Sequence, residues 1–286
     1  ARPFIPESAH AIAAVAHDGR MTPLDRDEVA EREWYHTMEL APGVNTPGFF
    51  DHRPLLDRLP IPASLADRRC LDIGTFDGFW AFEMERRGAT DVVAADILDP
   101  LAWDWPAGAD PLAIEAIERR KEAGRGFQIA ARALGSRVEK IEASVYDLSP
   151  DVHGKFDFVF MGSLLLHLRD PILALERARA VCRDLFLTID AVDPLLTLMH
   201  PRRPVGFLEG TARPWWWKPN LRGYRQMVQS AGFQVLQGPT PFLIPPGAEL
   251  KRKRVAWRNL RAYEGRQAFI RRYAGDPHAF ILARSA

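Results

Sequence analysis

The sequence predicts an α/β protein built on a doubly wound, mostly parallel sheet. Two observations carry the prediction: apolar runs of five or six residues recur along the chain, and most are followed by a turn and a stretch of helical spacing. Residues 70–74, Cys-Leu-Asp-Ile-Gly, are the first run and end in a glycine turn before helical spacing over 79–87. Residues 91–96 read as a second buried strand, and a third lies just before Val145. Residues 156–161 and 185–190 give the fourth and fifth, each followed by loop and helix. An amphipathic stretch at 224–231 closes at Gly232, a helix stop. Residues 233–236 are then the sixth strand, and 278–283 the seventh.

The chain has 286 residues, 47% hydrophobic and 26% charged, which excludes a disordered chain and suffices for a core without metal or disulfide staples. Cys70 and Cys182 are the two cysteines, which excludes a disulfide scaffold and a cysteine-based zinc cluster; no metal is expected, and a reducing, cytoplasmic location is. The apolar stretch at 9–16 is too short to span a bilayer and lacks the flanks of a secretory signal, so no membrane partner is expected. Lys and Arg number 38 against 37 Asp and Glu, and the net charge of +1 gives no global sign of nucleic acid. The charge is unevenly placed, however. Residues 249–272 hold nine Lys or Arg and two Glu, interleaved with Trp257, Tyr263 and Phe269. That segment reads as a helical insertion, either a solvated face or a contact surface. The expected organisation is an N-terminal arm over 1–66 and one domain over 67–286, with insertions at 191–219 and 240–276.

The chemistry-bearing motif is Asp72-Ile73-Gly74-Thr75-Phe76-Asp77-Gly78, where the first strand turns into the first helix. Glycine there permits a tight turn and close approach of a ligand to the main chain. A nicotinamide dinucleotide fingerprint needs G-x-G-x-x-G, whereas this turn has only Gly74 and Gly78. A carboxylate two residues before the first glycine suits an ammonium group rather than a pyrophosphate. Asp96, at the end of the second strand, is placed to accept ribose hydroxyls. An amino-acid end, a ribose and no phosphate describe S-adenosylmethionine. The plain alternative is a strand–helix turn with no ligand.

With residues 156–159 and the closing strand at 278–283, these motifs resemble a class I S-adenosylmethionine-dependent methyltransferase over roughly 67–286. The resemblance implies a Rossmann-like seven-stranded sheet, mostly parallel with an antiparallel last strand, carrying an N-terminal arm and lid insertions. Phe76 departs from the common G-x-G-x-G form. Residues 34–37, 71–74, 77–79 and 82–89, with Met161-Gly162-Ser163-Leu164 through His167 and Asp170-Pro171, are more closely similar to a branch related to enzymes that convert tRNA wobble uridine to its 5-oxyacetic acid form. By this resemblance Asp72, Gly74 and Gly78 hold the methionine portion and Asp96 with Ile97 the ribose. Val145 and Tyr146 flank the adenine, and Met161 lies beneath the sulfonium. The carboxymethylating members of the branch use a carboxylated donor held by a lysine and a tyrosine. Here Leu166 stands at the tyrosine position, and His36 and Arg53 are the nearest basic residues to the lysine position, which favours ordinary methyl transfer.

An acceptor that loses a proton is helped by a nearby base. His167, His36 and Asp190 are the candidates, with His200 and Asp193 behind them; each has a plain reading as a loop brace or cap. The insertion after the fifth strand carries Trp215-Trp216-Trp217, which cannot all face one way, and residues 245–247 and 275–277 read as hinges of a lid formed by the second insertion. Aromatic and basic side chains over the crevice suit an aromatic or anionic small molecule, and a basic stripe with aromatics also suits RNA. Three readings follow: methyl transfer to oxygen, nitrogen or carbon of a small-molecule acceptor, a tRNA wobble-uridine methyl- or carboxymethyltransferase, and a non-catalytic S-adenosylmethionine-binding protein. The first is favoured, because no RNA-binding module is appended.

Overall fold

The computed structural model describes residues 26–211, 213–252 and 269–285. The apolar stretch expected at 9–16 and most of the basic segment, residues 253–268, lie outside the described residues. In chain order the arm comes first: α1 (Arg26–Glu31), then four short strands, β1 (Trp34–His36), β2 (Glu39–Ala41), β3 (Val44–Asn45) and β4 (Gly48–Phe50). The first half of the domain follows as β5 (Arg69–Ile73), α2 (Phe79–Arg86), β6 (Asp91–Asp96), α3 (Pro111–Lys121), α4 (Arg125–Leu134) and β7 (Glu139–Glu142). The second half begins with α5 (Pro150–His153), β8 (Phe156–Gly162), α6 (Pro171–Val181) and β9 (Cys182–Ala191). It continues through α7 (Pro194–Met199), β10 (Gly206–Leu208), β11 (Trp217–Pro219), α8 (Leu221–Ser230), β12 (Phe233–Ile244), α9 (Ala248–Arg252) and β13 (Asp276–Ser285).

Seven strands form one sheet in the order β12-β13-β9-β8-β5-β6-β7. Strands β9, β8, β5, β6 and β7 pair in parallel, and β13 runs antiparallel to both β9 and β12. This is the Rossmann-like methyltransferase sheet that the sequence predicts. The central parallel strands β5, β6 and β8 are largely apolar without alternation because both faces are covered, whereas the edge strand β7 is polar. In β8, Phe158 and Phe160 pack into the cluster shared with α2, α4 and the arm, while Val159 and Met161 pack into the opposite cluster with α6 and α8. The helices begin where side chains can cap them: Asp170 accepts from the Leu173 N–H at the start of α6, and Asn220 from the Gly223 N–H at the start of α8. The order reverses between β5 and β8, so their carboxyl ends open a crevice at the switch point.

The sixth strand is longer than expected. After two register shifts β12 continues to Ile244 and pairs with Asp276–Phe280 of β13, so residues 240–244 of the expected insertion belong to the sheet. The residues expected as a hinge at 245–247 are tied to the arm. Asp51 N–H donates to the Pro245 carbonyl at 2.9 Å, and Gly247 N–H to the Phe49 carbonyl at 2.8 Å. The arm is also clamped to α2, since the Arg87 guanidinium donates to the carbonyls of Leu56, Ile61 and Pro62 and pairs with Glu83.

Gly78 closes the turn between β5 and α2 with φ +96°, and a Cβ there would stand 2.4 Å from Phe82 Cε2 and 2.8 Å from Phe127 Cδ2. Both rings are buried and packed against each other. Gly78→Ala should therefore destabilise the protein by about 1–3 kcal/mol from backbone strain alone, with the ring contacts adding to it. Urea unfolding checks this, and wild-type stability would show that the turn relaxes freely.

Candidate active site

A cavity of about 300 Å³ opens at the carboxyl ends of β5, β6 and β8 and continues under the arm and the segment before α8. Its first half is the glycine turn. Asp72, the one carboxylate in β5, is 1% exposed and lines this space, and its Oδ2 is buried without a hydrogen-bond partner among the described residues. Burial pushes the carboxyl up to about 7. Gly74, at φ +77°, brings the main chain so close to Leu164 that an added Cβ would stand 3.3 Å from its methyls. Phe76, the departure from the glycine pattern, adopts φ +54° and donates its N–H to Asp96 Oδ2 at 3.0 Å.

Asp96 and Ile97 line the cavity as expected, but Asp96 is already engaged. Its Oδ1 accepts from the Ile97 N–H at 2.9 Å and from Lys121 Nζ at 2.6 Å, and the Lys121 side chain is 1% exposed. With the Phe76 bond, three of about four acceptor sites on the carboxylate are filled. One ribose hydroxyl can be accepted as the group stands; accepting both requires Lys121 to move. Val145 and Tyr146 also line the cavity, and the Tyr146 hydroxyl donates to Asp104 Oδ2 at 2.7 Å and accepts from the Asp170 N–H at 3.1 Å.

Two of the expected cofactor residues do not reach the cavity. Met161 is fully buried among Ile73, Val159 and their neighbours and does not line the cavity, whereas the next two residues, Gly162 and Ser163, do. Gly78 shapes the turn from behind and does not line the space.

The structure also separates the three candidate bases. His36 lines the cavity, and its Nδ1 bonds Asp77 Oδ1, whose other oxygen accepts the N–H groups of Tyr35 and His36 at 2.9 Å each. The ring is thereby fixed, with Nε2 the nitrogen left for a ligand. His167 also lines the cavity; its Nδ1 donates to the Pro214 carbonyl at 2.7 Å, and burial pushes it down to about 4, so it is a neutral imidazole. Asp190 is placed as a brace. Its carboxylate accepts from the N–H groups of Leu165, Leu166 and Ala191, holding the turn after β8, and it does not line the cavity. Asp193 caps α7 through the Leu196 N–H, and His200 ends that helix away from the cavity.

The second half of the cavity is aromatic. Tyr35, Phe49, Phe50 and His52 from the arm face Trp215 and Trp217. Trp216 turns away, donating Nε1–H to the Asp104 carbonyl, so the tryptophan run alternates as one face could not hold all three. Leu166 lines this space too, whereas Arg53 is bound to Asp51 and Asn45 and does not. Sequence reasoning missed Asp77, Lys121, His52 and a third constellation. Ser163, at φ +51°, bonds His278 Nε2 through Oγ at 3.1 Å, and His278 Nδ1 lies 3.8 Å from Asp276 Oδ2. Positive φ at a non-glycine residue cannot be read from one sequence, and the partners are brought together by β13. Among the described residues no cluster of His, Cys, Asp and Glu is arranged to hold a metal ion, and no helix is long and apolar enough to cross a membrane.

The fit to S-adenosylmethionine rests on the orphaned Asp72 oxygen, which lacks the cationic donor that an ammonium group provides. Comparisons with known proteins bear on the fold. The fold is similar to the N-terminal domain of EvdMO1, solved in the presence of SAH and D-fucose, at 15% identity over 91% of this chain and 94% of that one, with a TM-score of 0.51. It is also similar to 1,6-didemethyltoxoflavin-N1-methyltransferase of Burkholderia thailandensis, at 15% identity over 77% and 71% of the two chains and a TM-score of 0.46. Magnesium protoporphyrin IX methyltransferase of Synechocystis PCC 6803 gives 13% identity over 78% and 76%, again with a TM-score of 0.46. No curated protein sequence matches the chain. The model of the family described as "Methyltransferase domain" matches residues 51–238. The chain belongs to this methyltransferase-domain family, as an S-adenosylmethionine-dependent enzyme of the Rossmann-like class.

Proposed function

We propose that the protein methylates a small, aromatic-bodied acceptor, with His36 as general base. The observation that carries this reading is continuity: one cavity runs from the orphaned carboxylate of Asp72 to an aromatic compartment that holds the free nitrogen of an Asp-oriented histidine. S-Adenosylmethionine supplies a methyl already activated on a sulfonium, so the chain has to bind, align and exclude water. Asp72 would pair with the ammonium, Asp96 would accept a ribose hydroxyl, and Val145 and Tyr146 would flank the base. Tyr35, Phe50 and Trp217 would hold the acceptor against the methyl, and His36 Nε2 would take its proton. Leu166 in place of a polar partner, and Arg53 committed to Asp51, support the ordinary donor over a carboxylated one.

Incubating the protein with methyl-labelled donor and either a small-molecule extract or bulk tRNA tests the reading. Label in the small-molecule fraction is expected, and label confined to tRNA would transfer the protein to the wobble-uridine branch. His36→Gln should lower turnover of the labelled acceptor by about 10²- to 10⁴-fold while donor affinity stays within about two-fold. An unchanged rate would remove His36 from the chemistry.

Asp72 makes a pH prediction. Its carboxyl, pushed up to about 7 by burial, pairs with an ammonium only when ionised. SAH affinity measured by calorimetry should therefore climb by up to about tenfold per unit below pH 7 and level off above it. Stability of the ligand-free protein runs the other way. The folded state keeps a proton that the unfolded chain releases near pH 4, so this group's contribution falls as pH rises from about 4 through 7. Asp72→Asn should flatten both profiles, and a wild-type profile without slope would detach Asp72 from the ammonium.

A further inference from the structure

The acceptor half of the cavity contains a cation with no protein counter-ion in contact. Lys218, in β11, lines the cavity beside Trp217, and among the described residues its ammonium has no hydrogen bond and no carboxylate at ion-pair distance. The other cations of this compartment are committed. Arg120 lies 3.4 Å from both Glu33 and Glu249, and Arg271 lies 3.5 Å from Asp276 while stacking 5.2 Å from the Trp215 ring. Burying an ammonium without a partner is costly, and a chain normally avoids it by pairing or by leaving the head group in water. Lys218 is partly buried, and that burial holds its amine below the ordinary lysine range; Arg271 adds to the shift, while Asp276, Asp193 and Glu209 oppose it from a distance. A second polar group in the same compartment is unsatisfied: His52 is 1% exposed, and its Nδ1 is buried with no hydrogen-bond partner among the described residues.

We infer that Lys218 is the anchor for an anionic oxygen group on the methyl acceptor, with Arg271 at its edge and Trp215 and Trp217 along the acceptor's planar body. A bound oxyanion would supply the charge-assisted contact that the fold withholds from Lys218. The same contact would fix the acceptor's orientation, because the anion is held on β11 while the nucleophile points toward the glycine turn. The acceptor class is then a small aromatic or similarly flat molecule bearing a carboxylate or a comparable oxyanion. This assignment rests on the methyltransferase reading of the cavity, and it is tested so that the two fail separately.

Benzoate and its neutral isostere benzamide serve as probes, titrated by calorimetry into the protein with and without saturating SAH. Benzoate is expected to bind at least about tenfold more tightly than benzamide, and Lys218→Met should reduce benzoate to the benzamide level while SAH affinity stays within two-fold. Thermal unfolding gives a second measurement: Lys218→Met should unfold at a higher temperature than wild type, since it removes a partly buried charge without a contacting counter-ion and keeps the apolar stem. Equal affinity for the two probes in the wild type, no saturable benzoate binding, or selectivity that survives Lys218→Met would each overturn the anion site. Failure of SAH to bind while benzoate is still selected would strike the cofactor reading and leave the anion site standing.

Discussion

The carboxylate of Asp77 is the contact on which the site depends. It sits in the glycine turn after β5, yet among the described residues its hydrogen bonds go to the arm: two backbone N–H groups of β1 and the Nδ1 of His36. A carboxylate accepting three donors out of water is worth more than a neutral contact, and it can form only if β1 lies directly over the turn. The arm's aromatic residues are thereby brought to the cavity as one wall. Tyr35 and Phe50 pack edge to face at 5.5 Å, and His36 stacks on Phe79 at the start of α2 at 5.4 Å. The same group builds the cofactor turn and orients the candidate base, which couples donor binding to acceptor chemistry through a single side chain.

The two aspartates expected to hold the donor face different electrostatic problems. Asp72 is buried, and its Oδ2 has no hydrogen-bond partner among the described residues, so its carboxyl is pushed up to about 7 until a cation favours the ionised form. Asp96 has its cation in Lys121, which also lies 5.0 Å from the Phe76 ring and 5.2 Å from the Trp103 ring. A buried pair of this kind is costly to break, by about 3–5 kcal/mol when one partner is removed. Lys121 therefore keeps the ribose end ordered before any ligand arrives, and sets how many hydroxyls Asp96 can take. Donor recognition divides accordingly between a poised end and a preformed one.

The acceptor compartment combines two elements that are remote in sequence, the arm and the segment between β9 and α8, with β13 between them. Backbone bonds from Asp51 and Gly247 stitch the arm to the chain after β12, so this wall is not a free flap. On the other wall, Trp216 is pinned by its N–H groups to Leu166 and Asp104, which leaves Trp215 and Trp217 facing inward. The walls are fixed by hydrogen bonds and the interior is aromatic, an arrangement that selects by shape and leaves orientation to the few charged groups present.

The sequence by itself determined the sheet. Parallel strands covered on both faces must be continuously apolar, so β5, β6, β8 and β9 announced themselves, and the glycine turn with Asp72 marked where a ligand would lie. The far end of β12 was not legible, because Gln237, Gly238, Pro239 and Thr240 break the apolar run exactly where the ladder shifts register. For the site, local spacing nominated Asp72, Gly74 and Asp96 but could not tell that Met161 is sealed in the core or that the Asp190 carboxylate is taken up by backbone donors. Only the tertiary structure decided the partnerships. Asp96 with Lys121, Asp77 with His36, and Ser163 with His278 join residues 25, 41 and 115 positions apart. Periodicity reports which face of an element is buried; which charge meets which depends on how those faces are brought together, and no local pattern carries that information.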